Sequence, residues 1–338
     1  MRRRTLVTGT LAGVVLGAQA PAIGSAAVVG HDRLLFEPAA PGAAPVTIDA
    51  LRTATSQASA NFHAVRYRQL ARQLPELLRA AEAARDAAPT DRAGSVQTVL
   101  AEVYGLATRL SVKLHDPGVA WSMADQAVQA ARACDDLHVL AETYRTAAVV
   151  LRRSGRHDEA QRMVIQAAAR LQEHTRLKAG KDVSLYASML ATAAYTAARA
   201  DRRDDAWTLA AEAGDALASG TASGFGSNDL ELYRSGIARA LGDFGAAVDH
   251  ARRVRIELFS TAERRARYWE DVALAWMGRG RASEAWVALQ EAEATAPQEV
   301  RYRPWVQHLT ADLLAADRGG MLPGIRPFAA RIQAAGPA

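Results

Sequence analysis

Eight histidines, one cysteine and a few paired carboxylates are the residues of this 338-residue chain whose types suit chemistry. Their spacing argues against most of it. His31, His63, His115, His138, His157, His174, His250 and His308 never form an i, i+4 pair enclosing a glutamate, so the helical zinc-protease motif is absent. Cys134 is the only cysteine, which excludes an internal disulfide and a multi-cysteine zinc site. Asp135 and Asp136 beside it oppose thiolate formation, so its expected role is structural. There is no phosphate loop ending in Gly-Lys-Ser/Thr and no Gly-x-Ser-x-Gly nucleophile elbow. The segment 220–226 is glycine-rich but lacks a lysine and a preceding strand. Asp135/Asp136 and Asp204/Asp205 open helical stretches, where N-capping accounts for them. The reading is a chain with no catalytic residues, no cofactor and no metal site.

What remains is a set of cations at long, regular spacing. Lys113, Arg153 and Arg199 are separated by 40 and 46 residues, with Arg109, Val149 and Tyr195 one helical turn before them. Stacked in register, these residues form a basic column beside an aromatic and apolar strip. Such a column holds a carboxylate or an acidic peptide through charge-assisted hydrogen bonds. The other reading is that Lys and Arg in the last turn of a helix compensate its dipole. Both readings require repeated helices.

Five blocks supply them: His115–Trp121, Gly155–Ala160, Asp201–Trp207, Gly242–Ala247 and Gly280–Trp286. Each begins with a turn-forming residue and reaches an alanine five positions later, at 120, 160, 206, 247 and 285. Four and seven residues beyond each alanine lie Ala124/Ala127, Val164/Ala167, Ala210/Ala213, Ala251/Val254 and Leu289/Ala292. Offsets of 0, 4 and 7 trace one helical face, and its small residues admit a close neighbouring helix. Sixteen residues before the alanine stands a large apolar residue in four repeats (Tyr104, Tyr144, Leu190 and Trp269), with Glu231 in the fifth. Trp121, Trp207 and Trp286 follow three of the alanines and read as packing residues. The chain is 49% hydrophobic but only 6% aromatic, with alanine dominant, which favours closely packed helices.

A large residue early in the first helix, glycine at the turn, alanine in the second helix and Pro297 after the last repeat resemble the tetratricopeptide pattern over about residues 94–297. That resemblance implies an all-α, right-handed superhelix of antiparallel helix pairs with a ligand groove on its inner side. Helices at 48–73 and, after Pro75, at 76–87 are expected to begin the stack; helices at 303–317 and 323–334 are expected to cap it.

Residues 1–46 read as a signal-like or linker segment and 47–338 as the repeat domain. Arg2-Arg3-Arg4-Thr5-Leu6-Val7 before an apolar stretch to Ala20 fits a basic, twin-arginine-like export signal, too short and glycine-rich for a stable membrane span. Three of the five net positive charges lie in that leader, so the remainder gives no case for direct nucleic-acid binding.

The stretches Phe62–Ala71, Pro75–Leu78, Ala120–Asp125, Glu263–Tyr268 and Ala294–Arg301 are similar to the C-terminal half of actinobacterial Xre-type helix-turn-helix transcriptional regulators. The resemblance covers about residues 60–335 and implies a sensor half without its DNA-binding domain, or a regulator whose start lies further upstream. It implies a cytoplasmic, non-enzymatic regulatory module binding a peptide or protein partner, acidic ligands included. An exported repeat scaffold is the alternative.

Overall fold

The structure is a computed structural model that describes residues 46–134, 136–301 and 303–334. The signal-like leader lies outside the described residues. Among them there is no strand, and fifteen α-helices follow one another. Six antiparallel pairs come first: α1 (Ile48–His63) with α2 (Tyr67–Ala87), α3 (Ala93–Leu114) with α4 (Pro117–Arg132), α5 (Leu137–Arg153) with α6 (His157–Thr175), α7 (Gly180–Arg199) with α8 (Arg203–Ser219), α9 (Ser227–Ala240) with α10 (Phe244–Arg253), and α11 (Ala262–Gly278) with α12 (Ala282–Thr295). A short α13 (Pro297–Arg301) leads to the capping helices α14 (Pro304–Ala316) and α15 (Ile325–Ala334). This is a tetratricopeptide-like superhelix.

Local chemistry explains the pairing. The five residues that open the sequence blocks, His115, Gly155, Asp201, Gly242 and Gly280, all take left-handed backbone angles, with φ of 60°, 78°, 57°, 79° and 72°. Each turn therefore reverses the chain at the same point of the repeat, and glycine does so without steric cost. Asp116 then caps α4 by accepting from the Val119 amide at 2.9 Å, and Asp136 caps α5 through the His138 and Val139 amides. The five anchor alanines are buried, as are all ten residues at offsets four and seven. A larger side chain there would push the two helices of a pair apart.

One feature differs from the sequence reading. Pro75 does not separate two helices; α2 runs through it, and the break falls at residues 64–66. There Val65 takes φ 58° and the Arg66 amide donates to the Asn61 carbonyl at 2.8 Å. An interior proline costs a helix about 3 kcal/mol. Leu74, Leu77 and Leu78 beside it are buried in the first-repeat core, and burying each contributes about 1.5–3 kcal/mol, which outweighs that cost. In the α9–α10 pair the expected large apolar residue is Glu231, held by Arg234 at 2.6 Å and by His250 Nδ1 at 2.8 Å, so a polar contact joins the two helices. Of the three tryptophans after the anchor alanines, Trp286 is buried and donates to the Pro323 carbonyl, and Trp207 stacks on His250. Trp121 is exposed beneath Arg156.

The odd-numbered helices line one side of the stack. From α1 to α11 each touches the next odd-numbered helix, and α11 in turn touches α1. Six inner helices therefore form a closed ring, with the even-numbered helices outside them.

Gly280 sits at φ 72° with open space around it, whereas Gly105 lies mid-helix in α3, also in open space. Gly280→Ala should lower stability by about 1 kcal/mol, the strain of a left-handed alanine, and Gly105→Ala should raise it by about 0.5–1 kcal/mol. Urea-unfolding midpoints of the two variants check both signs.

Candidate functional site

Closure of the ring brings the first two repeats against the sixth. Glu299 on α13 is buried and accepts three hydrogen bonds: from the Tyr67 hydroxyl at 2.5 Å, Lys113 Nζ at 2.8 Å and Arg303 Nη1 at 2.8 Å. Lys113 also donates to Glu263 at 2.7 Å. The Arg68 amide donates to Gln298 at 3.0 Å, and Ala266 and Ala296 join the apolar core of the first two repeats. Burial alone would raise the Glu263 and Glu299 carboxyls. Lys113 overrides it for both, holding Glu263 at about 2 and Glu299 below its ordinary value.

Inside this seam the inner wall is polar on every helix. Across the ring His63 of α1 feels the charges of Arg109 on α3, Glu142 on α5, and Glu263 and Arg264 on α11. Arg145 of α5 is coupled to Tyr233 on α9 and to Glu263 on α11. Side chains from opposite sides of the ring thus share one narrow interior.

A pocket of about 500 Å³ opens between α1, α3 and α5, within the size range of small-ligand and peptide sites. Thr55, Ser56 and Ser59 come from α1; Glu102, Gly105 and Arg109 from α3; His138, Glu142, Thr143 and Thr146 from α5. Glu142 is occupied, accepting from Arg145 at 2.8 and 2.5 Å, and Asp182 of α7 holds His138 Nε2 at 2.5 Å. Arg109 is different. Its guanidinium lies 5.1 Å over the Phe62 ring, and no hydrogen bond joins it to any described residue; its Nε is buried without a partner. Buried donors are nearly always paired, so the unpaired Nε of this pocket-lining residue is an exception; its charge is answered only at a distance, by Glu142, Glu263 and Glu102.

The five residues singled out by spacing fall in different settings. Lys113 is engaged by Glu263 and Glu299 at the seam and is no free member of a column. Arg153 is exposed and reaches back to the Val112 carbonyl at 3.1 Å, at the C-terminal end of α3. Arg199 is exposed, with no hydrogen bond or ion pair among the described residues. Tyr195 lies half-buried between Arg152, Arg239 and Arg267. Arg109 lines the pocket.

Spacing did not single out Glu142, Arg145, Arg152, Glu263, Asp271 or Glu299. Their signal was present as charge on one helical face: Glu142, Arg145 and Arg152 on α5, and Glu263, Arg267 and Asp271 on α11, recur at intervals of three, four and seven. On an outward face such a stripe is solvated; only ring closure turns it inward.

Among the described residues no group of His, Cys, Asp and Glu could hold a metal ion, and no helix is long and apolar enough to cross a membrane. No protein-family model matches the chain, and no curated protein matches it. Among solved structures it is similar to one described as the crystal structure of PilW, a widely conserved type IV pilus biogenesis factor. The identity is 16%, over 77% of this chain and 97% of that one, with a TM-score of 0.43.

A carboxyl held below its ordinary 4.5 stabilises the fold above that pH and loses its contribution as pH falls toward the folded value, here about 2 for Glu263. Urea midpoints measured from pH 5 down to 2 should therefore fall steeply. Glu263→Gln should flatten that slope and cost about 3 kcal/mol at neutral pH.

Proposed function

We propose that the chain is a non-enzymatic interaction module that holds a short peptide segment of a partner protein inside its ring of helices. The observation that carries this reading is Arg109, a half-buried residue that lines the pocket and whose guanidinium has no hydrogen bond to any described residue. Its planar fork suits the carboxylate of a side chain or chain end, or a backbone carbonyl. Hydroxyls of Thr55, Ser56, Ser59, Thr143 and Thr146 around it serve as adaptable donors and acceptors for a peptide backbone. Val139, Leu106 and Ala101 give the pocket an apolar side for the segment's side chains.

The kinship with the sensor half of Xre-type regulators belongs to this proposal. Three of the five stretches that carry the resemblance, Phe62–Ala71, Glu263–Tyr268 and Ala294–Arg301, are far apart in sequence and supply Tyr67, Glu263, Gln298 and Glu299 to the seam; Pro75–Leu78 and Ala120–Asp125 do not. In this reading the module is regulatory and the closed ring is the part that senses a ligand.

A randomised peptide library selected on the folded protein tests the reading. Peptides enriched on the wild type should lose at least about tenfold in affinity on Arg109→Gln, the loss expected for a charged hydrogen bond. Gly105→Phe, which fills open space on the pocket wall, should abolish their binding while circular dichroism stays that of the wild type. Peptides held equally well by both variants would place the site elsewhere.

A further inference from the structure

We infer that the inner wall carries a second anion subsite, built by Arg152, Arg239 and Arg267 around Tyr195, which receives a carboxylate of the bound segment. The inference rests on the peptide-binding reading and names the ligand chemistry it requires. The three guanidiniums come from three different inner helices, α5, α9 and α11, and meet on a residue of a fourth, α7. Arg152 lies 4.9 Å over the Tyr195 ring, Arg267 lies 5.7 Å from the same ring, and Arg239 Nη2 is 3.4 Å from the Tyr195 hydroxyl. Gly236 on α9 lies against the cluster: a Cβ there would make ordinary contact with Asp271 at 3.4 Å, Tyr195 at 3.5 Å and Arg267 at 3.7 Å.

The charges do not balance. Arg239 and Arg267 share one buried carboxylate, Asp271, each with a nitrogen 2.9 Å from it. Glu270 stands 3.7 Å from Arg267 but also 3.8 Å from Arg303, which it shares with Glu299. Arg152 has no carboxylate; its hydrogen bond goes to the Thr196 hydroxyl at 3.2 Å, whose own proton is directed to the Thr192 carbonyl. Three cations against Asp271 and a shared Glu270 leave a surplus of about one positive charge, which a single carboxylate cancels and a dianion overshoots. Tyr195 registers that surplus. Burial alone would raise its hydroxyl, yet Arg239, Arg267 and Arg152 bring it down to about 7.

The subsite also fits the pocket in distance. Glu142 in the pocket and Arg152 are ten residues apart on α5, about 15 Å along the helix. An extended peptide spans that in four or five residues, at about 3.3 Å each. A segment anchored on Arg109 therefore reaches the subsite with an acidic side chain or its terminal carboxylate.

Tyrosinate absorbance of the full chain, titrated through neutral pH in acetate and in chloride at equal ionic strength, tests the subsite. In chloride a tyrosine should titrate near pH 7, and Tyr195→Phe should remove that step; Tyr233, also drawn below its ordinary value by Arg145 and Arg264, is distinguished by persisting in Tyr195→Phe. Acetate should raise that midpoint by up to about one unit, a tenfold change in proton affinity. Arg152→Gln should raise the midpoint in chloride and abolish the acetate effect, with helicity unchanged. A titration identical in acetate and chloride, or no tyrosine ionising near neutrality, overturns the subsite. If acetate acts but no library peptide is selected, the carboxylate site stands and the peptide reading falls. If peptides bind Arg152→Gln as tightly as the wild type and acetate is inert, the subsite falls and the peptide reading stands.

Discussion

Glu299 carries its charge where almost no water reaches, and three donors converge on it from separate parts of the chain. Tyr67 opens α2, Lys113 lies in the last turn of α3 and Arg303 precedes α14. A buried carboxylate is tolerated only when its hydrogen bonds and charge are both answered, so the geometry of all three donors is fixed by one acceptor. Lys113 extends the constraint to Glu263 on α11. Ring closure is thus a polar event laid over a small apolar contact, and the interior follows from it.

A superhelix of this kind usually offers an open concave face. Here α11 returns to α1, and the six polar inner faces surround one another. Inside, charges from opposite helices act on each other across a low-dielectric gap, which explains why Glu263 is held so low and Tyr195 drawn toward neutrality. Most interior charges are paired: Glu142 with Arg145, and Asp271 with Arg239 and Arg267. Arg109 has no hydrogen bond among the described residues, and Arg152 has a hydroxyl partner but no carboxylate.

The repeat was legible in the sequence because it is local. A left-handed turn residue, an alanine five positions on and small residues at offsets four and seven describe one helix pair without reference to the rest of the chain, and His115, Gly155, Asp201, Gly242 and Gly280 keep that rule. Closure was not legible. It depends on small rotations accumulated over six pairs and on contacts such as Lys113 to Glu299, 186 residues apart. Lys113 therefore read as a groove or helix-end cation, although its partners are two glutamates at the far end of the stack. Pro75 misled for a related reason: local rules end a helix there, but buried leucines on both sides continue it. Of the site, Arg109 and Tyr195 were visible by spacing, while Arg152 and Asp271 needed the ring to show which face turns inward.

The most direct test of closure is a double-mutant cycle between Lys113 and Glu263, residues of the second and sixth helix pairs. Unfolding free energies of Lys113→Met, Glu263→Gln and the double variant give the coupling. The closed ring predicts a coupling of at least about 1 kcal/mol, since Lys113→Met strands the Glu263 carboxylate while Glu263→Gln removes one of the two carboxylates that hold Lys113. Effects that add to within about 0.3 kcal/mol would mean that the two residues do not meet, and would contradict the ring.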